Sequence, residues 1–451
     1  MENNCANKTF RYIFRKRKIL ILRNDRFIME LYGKLLNITV PFFFFFFLVE
    51  KIVEWRRSLH VIRGLDSVSS FSSGITNVVK DVLGIGVTII TYSWLVNKIS
   101  IFHIHATVLT YIIAFLVIDF QGYWVHRWCH KINFFWNYHI IHHSSEEFNL
   151  SCALRQSISN FINFFTFLLI PAALLGVPKE VIAIVAPLHL FLQYWYHTQL
   201  IGKMGFLEHI IVTPSHHRVH HAINKEYVDK NLSQIFIFWD KLFGTFQQEL
   251  EDVKPVYGVT RPVKTWNPVK INFIHLWLLM KDAWRTKSIK DKLRIWFMPT
   301  GWRPDDIKEK YPVDYIADAY NYKKFDTPTT KTFIAWSWSQ MFFNYFLLIY
   351  FFSFIAQIDK PHIFYYGAFI FISIYAYTEL MDGNRNAFYM ELAKSLIGLF
   401  IIYYYGDWFF SSQHWPWYHY VVAGYFIISV FATAYFAFYE MKKSDQQISL
   451  A

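Results

Sequence analysis

Cysteine is nearly missing from this 451-residue chain. Cys5, Cys129 and Cys152 are too few and too scattered for a disulfide framework or a thiolate metal site. Cys129 falls inside a histidine-rich stretch but one position off the histidine face, so it reads as a small apolar packing residue. No signal peptide is evident or expected: the polar lead of residues 1–28 is too long, and no small-residue cleavage site follows the first apolar run. Acidic residues are in deficit, 33 against 45 Lys and Arg, for a net charge of +12. In a membrane protein such an excess collects on loops facing the cytosol, so no nucleic-acid partner is expected. The Glu-x-x-His pairs that hold metals in soluble carboxylate-bridged bundles do not stand out either.

Apolar surface is what the chain has in abundance. It is 54% hydrophobic and 21% aromatic, mean hydropathy is positive, and long apolar runs recur. The expected fold is all-α, a multi-span membrane protein. The runs predict about nine spans, at 35–53, 82–96, 106–124, 161–177, 181–196, 333–356, 363–380, 392–405 and 421–438. Gly176-Val177-Pro178 breaks the fourth from the fifth and makes them a tight hairpin. The expected organisation is a basic extension (1–34), a histidine-bearing membrane domain (35–260), a basic connecting segment (261–330), a four-span C-terminal domain (331–441) and a tail (442–451). In the connecting segment, residues 269–296 mix Trp277, Trp284 and Ile295 with Lys281, Arg285 and Lys292, the pattern of a helix lying in the membrane interface or of an ordinary amphipathic helix packed on the cytosolic domain. The Trp408–Trp417 loop suits an aromatic belt. Glu379, Glu391 and Lys394 in or near the last spans are functional suspects, with a local Glu391–Lys394 pair the plainer reading. The basic stretch 1–28 conflicts with the orientation that nine spans demand. Counting from Met29 restores the rule, so either 1–28 is an upstream extension or the first span is not simple.

The chain is organised around its histidines. His126 and His130 are four apart, which stacks both imidazoles on one helix face. His139, His142 and His143 follow at i, i+3 and i+4, and His217, His220 and His221 repeat that spacing. His197 ends the fifth apolar run. One helical i, i+4 pair is as often structural as functional. Three clustered boxes, two with the same spacing, point to a transition metal. These nine imidazoles can hold two metals and leave positions open. Spacing does not choose among iron, copper and zinc. Two redox-active irons beneath apolar helices would activate dioxygen against a lipid C–H bond, whereas a zinc pair would point to hydrolysis. The predicted topology puts every box on one aqueous side together with the basic segment, hence in the cytosol. His209 and His216 are reserve ligands, and His189 reads as structural. Asp119, seven residues before His126, is placed to orient an imidazole. Asn149 and Arg155 follow the second box. Arg155 is suited to a lipid headgroup phosphate or to snorkelling at the interface. Asn231 and Asp240 are candidate supporting residues behind the third box.

HRWCH, HIIHH and HRVHH resemble the three boxes of the fatty acid hydroxylase and sterol desaturase superfamily of membrane di-iron enzymes, over about residues 75–255. The runs HHSSEEFNLSCALRQS (142–157), TPSHHRVHHAINKEYVDKN (213–231) and WDKLFGTF (239–246) are similar to its ether-lipid-cleaving branch, as is the apolar region 333–438. The resemblance implies two Fe ions, O2, and a lipid substrate drawn from the bilayer. It implies the endoplasmic reticulum membrane in a eukaryote or the cytoplasmic membrane in a bacterium. For that branch it implies hydroxylation beside the ether oxygen with tetrahydrobiopterin as reductant, the hemiacetal then collapsing to a fatty aldehyde and a glycerol derivative. One departure stands out. Animal members of the branch typically carry an acidic residue directly after the second histidine of the first box, and this chain has Lys131. A cytochrome or ferredoxin chain, delivered by a redox partner protein, is therefore an alternative reductant. The same metal core would serve a sterol or fatty-acyl desaturase or hydroxylase. In a different class, a non-catalytic membrane transport or scaffold protein would keep the histidines for structure.

Overall fold

The computed structural model describes residues 3–441, with side chains from residue 29 onward. The side chains of the basic stretch 1–28, and the tail 442–451, lie outside the described residues. Among the described residues the regular structure is helical, apart from a two-residue parallel pair of β1 (Val87–Thr88) with β2 (Ile162–Asn163) and isolated bridges. It divides into two compact units. One comprises Val49–Ser337 and Thr378–Asn384, the other Met1–Leu48, Trp338–Tyr377 and Arg385–Ala451.

Among the described residues, five helices are long and apolar enough to cross a membrane: Met29–Arg56, Val108–Lys131, Lys360–Met381, Ala387–Tyr405 and Tyr418–Glu440. The chain is therefore an integral multi-pass protein, with five such spans rather than nine. For three of the four missing spans the difference lies in helix length. The run at 82–96 is broken at Gly84 and Gly86, and only an eight-residue helix forms, at Tyr92–Ile99. The run at 161–177 breaks into β2, a 3-10 turn and a five-residue helix, Ile170–Leu174. The run at 181–196 forms a helix of 13 residues, Lys179–Phe191, with Pro187 inside it. Such a helix is about 20 Å long, short of the roughly 30 Å hydrocarbon core. The sixth run does form a long helix, Lys331–Phe354, but Ser337, Gln340 and Asn344 keep it out of the apolar set.

In chain order the first unit contains the end of α1 (Asn3–Arg56), then α2 (Gly64–Val82), α3 (Tyr92–Ile99), α4 (Val108–Lys131), α5 (Asn133–Trp136), α6 (Ile140–His143), α7 (Ile170–Leu174), α8 (Lys179–Phe191), α9 (Pro214–His220), α10 (Phe238–Phe243) and α11 (Pro268–Arg285). Helix α4 carries the site. Thr107 caps its first turn by accepting from the Thr110 amide. Thr110, Ala114, Ile118, Asp119, Tyr123, His126 and His130 form its buried face, while Val108, Leu109 and Ile112 lie exposed on the other. Against the buried face pack Leu95, Leu169, Ala172, Ala173, Val177, Val181, Ile182 and Val185 from α3, α7, α8 and their connections. Each large aliphatic buried there contributes about 1.5–3 kcal/mol. Gly176 makes the turn between α7 and α8 at φ +73°, where a Cβ would sit 1.7 Å from the Phe102 carbonyl oxygen. The short helices therefore form a collar around α4. Helix α11 buries Ile271, Leu278 and Leu279 and leaves Trp277, Met280 and Trp284 exposed.

The second unit is a bundle with its own polar interior. The ion pair of Glu391 and Lys394 is buried, and Ser429 donates to Glu391. Trp408 is fully buried rather than part of a belt. Glu379 belongs to the histidine-bearing unit, where it accepts from Asn267 and pairs with Lys270.

Candidate metal centre

Three local structures bring the boxes together. Helix α4 ends with His126 and His130 on its inner face. The short helices α5 and α6 turn the chain back, with His139 at the N-cap of α6 and His142 and His143 at its end. Helix α9 begins with a capping box: Thr213 accepts from the His216 amide, and the His216 ring accepts from the Thr213 amide. That cap points His216 away from the centre and against Phe246, while His217, His220 and His221 face inward.

The nine histidines form two adjoining groups. His126, His130, His139, His143 and His220 make one; His142, His197, His217 and His221 make the other. Within each group the ligand nitrogens lie within 4.8 Å of one another. Nε2 of His139 is 2.8 Å from that of His126 and 3.1 Å from that of His143. Nε2 of His197 is 2.9 Å from that of His217 and 3.3 Å from that of His142. The groups meet where adjacent residues divide between them: the rings of His143 and His221 stack at 4.3 Å. Trp136, Phe148 and Tyr196 wall the centre.

The outer ring nitrogens are held by the scaffold. Nδ1 of His126 lies 2.7 Å from the Leu232 carbonyl, that of His142 3.3 Å from Arg155 O, that of His197 3.0 Å from Gln193 O, and that of His220 3.0 Å from Lys230 O. A carbonyl only accepts, so each of these rings carries its proton on Nδ1 and turns the Nε2 lone pair inward. Burial, reinforced by the neighbouring imidazoles, pushes His139, His142, His143, His217, His220 and His221 well below the usual imidazole range. Burial alone takes His197 down to about 4. These are neutral imidazoles, the ligand form. Nε2 of His130 and of His220 is buried without a protein partner, which leaves each lone pair for a cation. Two histidine-rich clusters able to coordinate metal ions are thus present, and the residues fit the group that the sequence pattern implies.

The remaining predicted residues take other places. His209 is exposed and, like His216, lies outside both groups. Asp119 orients no clustered imidazole. It accepts from His189 at 2.7 Å, from the amides of Ile235 and Phe236, and from the Trp239 indole, so it clamps the segment behind the centre. Arg155 is not at a headgroup site: its guanidinium is buried on Asp66 (2.7 Å), Ser70 and Ser144. Asn149 braces a local turn through Ser151 and reaches the Val61 carbonyl. Asn231 holds the carbonyls of His216 and Gln247. Asp240 takes the amides of Leu232 and Ser233 and the Thr245 hydroxyl, and so fixes the very carbonyl that holds His126.

Three acidic residues escaped the sequence reading. Asp66 pairs with Arg155. Glu50 joins the Thr198 hydroxyl to the Leu150 amide. Asp229 lies 3.3 Å from His130 Nδ1 and 2.7 Å from Lys131 Nζ. Burial raises the Asp229 carboxyl, but His130 and Lys131 outweigh that and hold it at about 2. The sequence signal for Asp229 was weak, a carboxylate eight residues past the third box.

The comparisons agree with this geometry. The family model described as fatty acid hydroxylase matches residues 111–245, the segment that holds all nine histidines. Alkylglycerol monooxygenase of Homo sapiens is 37% identical over 271 residues, 58% of this chain and 59% of that protein. The Xenopus tropicalis protein of the same name is 31% identical over 80% of each chain, and that of Danio rerio 30% over 81% of each. No solved structure matches. The chain belongs to the fatty acid hydroxylase and sterol desaturase superfamily, with alkylglycerol monooxygenases as homologues.

Proposed function

We propose that this protein is a membrane di-iron monooxygenase that hydroxylates a lipid C–H bond with O2, and that its substrate is an ether lipid of the alkylglycerol class. The observation that carries the reading is the pair of imidazole groups gathered at the end of an apolar helix, with ring nitrogens turned inward. In this reading His126, His130, His139, His143 and His220 hold one iron, and His142, His197, His217 and His221 hold the other. Bound there, the irons would supply O2 activation. The chain fixes His126, His142, His197 and His220 through carbonyls, buries the rings, and walls the centre with Trp136, Phe148 and Tyr196. One oxygen atom of O2 enters the C–H bond beside the ether oxygen. The other leaves as water, with two electrons and two protons from the reductant. The hemiacetal then collapses to a fatty aldehyde and a glycerol derivative.

We assign the site to the cytosolic face, because Lys and Arg crowd the connecting segment. The reductant is tetrahydrobiopterin or a cytochrome or ferredoxin chain, and Lys131 weighs against the pterin. Its ammonium offers only donors, where a reduced pterin ring presents donors that need acceptors. The test is purified protein loaded with iron and given an alkylglycerol, O2 and each reductant in turn. Fatty aldehyde formed with matching oxygen uptake is the expected result. A double bond introduced into an acyl or sterol chain, without aldehyde, would replace ether cleavage by desaturation. Absence of both bound metal and oxygen uptake would refute the enzymatic reading.

A further inference from the structure

The outer partners of the clustered imidazoles are not alike. His126, His142, His197 and His220 each end on a backbone carbonyl. His130 ends on a side chain, Asp229 Oδ1, and the other oxygen of that carboxylate takes Lys131 Nζ. Among the described residues, Asp229 is the one carboxylate hydrogen-bonded to a clustered imidazole. The three groups also step from centre to surface: the side chain of His130 is 6% exposed, that of Asp229 29% and that of Lys131 49%.

The backbone around Asp229 is built to hold it there. Asp229 and Asn231 both lie in the left-handed region, at φ +60° and +52°, a conformation that costs a non-glycine residue free energy and that Asp and Asn tolerate best. Between them stands Lys230, whose carbonyl holds His220. Asn231 is tied to the carbonyls of His216 and Gln247. One strained three-residue turn thus supplies outer partners to two histidines of the same group, a carbonyl for His220 and a carboxylate for His130.

We propose that Asp229 is a positioning residue that makes the two metal positions unequal. This rests on the reading of the histidine groups as metal sites. The carboxylate accepts from Nδ1 and thereby fixes His130 with Nε2 inward. A full negative charge also makes the ring a stronger donor than a carbonyl dipole does. The five-histidine group gains that charge and the four-histidine group does not. Lys131 opposes the effect, because its ammonium draws on the same carboxylate.

The two variants therefore act with opposite signs. Asp229→Asn removes the charge and keeps the shape. Lys131→Met leaves the charge uncompensated and removes a cation near the site. The experiment is titration of the metal-stripped full-length protein, in lipid nanodiscs, with cobalt(II) alone, followed by its visible absorption. Wild type should show two binding events. Asp229→Asn should weaken one of them about tenfold or more and leave the other within about twofold. Lys131→Met should tighten that same event. The unchanged event in the same sample reports that the centre is folded. Asp229→Asn with both events unchanged or both equally weakened would overturn the proposal, as would both variants weakening the same event, the behaviour of a plain surface ion pair. Wild type lacking two events would overturn the reading of the histidine groups themselves, a separate and recognisable failure.

Discussion

Arg155→Met separates a structural arginine from a lipid-binding one. The guanidinium is buried and donates to Asp66 Oδ1 at 2.7 Å, Ser144 Oγ at 2.7 Å and Ser70 Oγ at 3.0 Å. Asp66 keeps one other side-chain partner, the Ser145 hydroxyl at 2.8 Å. Methionine fills similar volume but leaves that carboxylate buried and uncompensated. Breaking a buried pair from one side costs about 3–5 kcal/mol. For a unit of this size each kcal/mol moves the midpoint by about 2 °C, so unfolding in micelles should fall by about 6–10 °C. The double variant with Asp66→Asn should recover part of the loss, because no bare charge remains. The Arg155 carbonyl also accepts from His142 Nδ1 at 3.3 Å, so the bound metal of the four-histidine group should drop with stability. Thermal unfolding and metal analysis on one set of preparations read both effects. An unchanged midpoint in Arg155→Met, together with lost binding to vesicles containing anionic phospholipid, would refute this account and restore the headgroup role.

His220→Ala should halve the bound metal and abolish turnover while membrane insertion persists, read by elemental analysis and aldehyde release; full activity would remove His220 from the ligand set. Gly398→Leu should destabilise the C-terminal bundle by about 1–3 kcal/mol through overpacking, since even a Cβ there would meet the Phe426 ring at 2.2 Å; metal content should not change. With tetrahydrobiopterin alone the native enzyme should turn over slowly and Lys131→Glu faster; rapid turnover equal in both would dismiss Lys131 as a reductant determinant.

Helix type and the histidine positions were legible in the sequence because both are periodic. Spacings of three and four residues put imidazoles on shared faces, and the structure brings all nine into two groups. Span number was not legible, because hydropathy counts apolar residues and a membrane measures continuous helix. The runs at 161–177 and 181–196 are apolar, but the first breaks into β2, a 3-10 turn and α7, Gly176 and Pro178 turn the chain, and the second ends as a helix at Phe191, so the short pieces pack on α4. Their apolar character serves that packing.

The supporting residues were hard to find for a different reason. Asp119 was singled out by its helical phase with His126, yet a carboxylate at i−7 lies about two turns away, and in the structure it bonds the 235–239 segment. That segment closes the loop whose Leu232 carbonyl holds His126, and Asp240 fixes Leu232 from the other end. Two carboxylates 121 positions apart therefore stabilise the loop that sets one imidazole's tautomer. No local spacing encodes such a relation, because its main terms are a backbone carbonyl and four backbone amides that every sequence possesses. The prediction for Asp240→Asn follows from this chain of contacts. An amide can accept from Leu232 N or Ser233 N but not satisfy both and the Thr245 hydroxyl, so the loop should loosen and His126 should lose its anchor. Metal in the five-histidine group should then fall while the four-histidine group keeps its own. Equal retention of both metals would show that His126 needs no help from the loop.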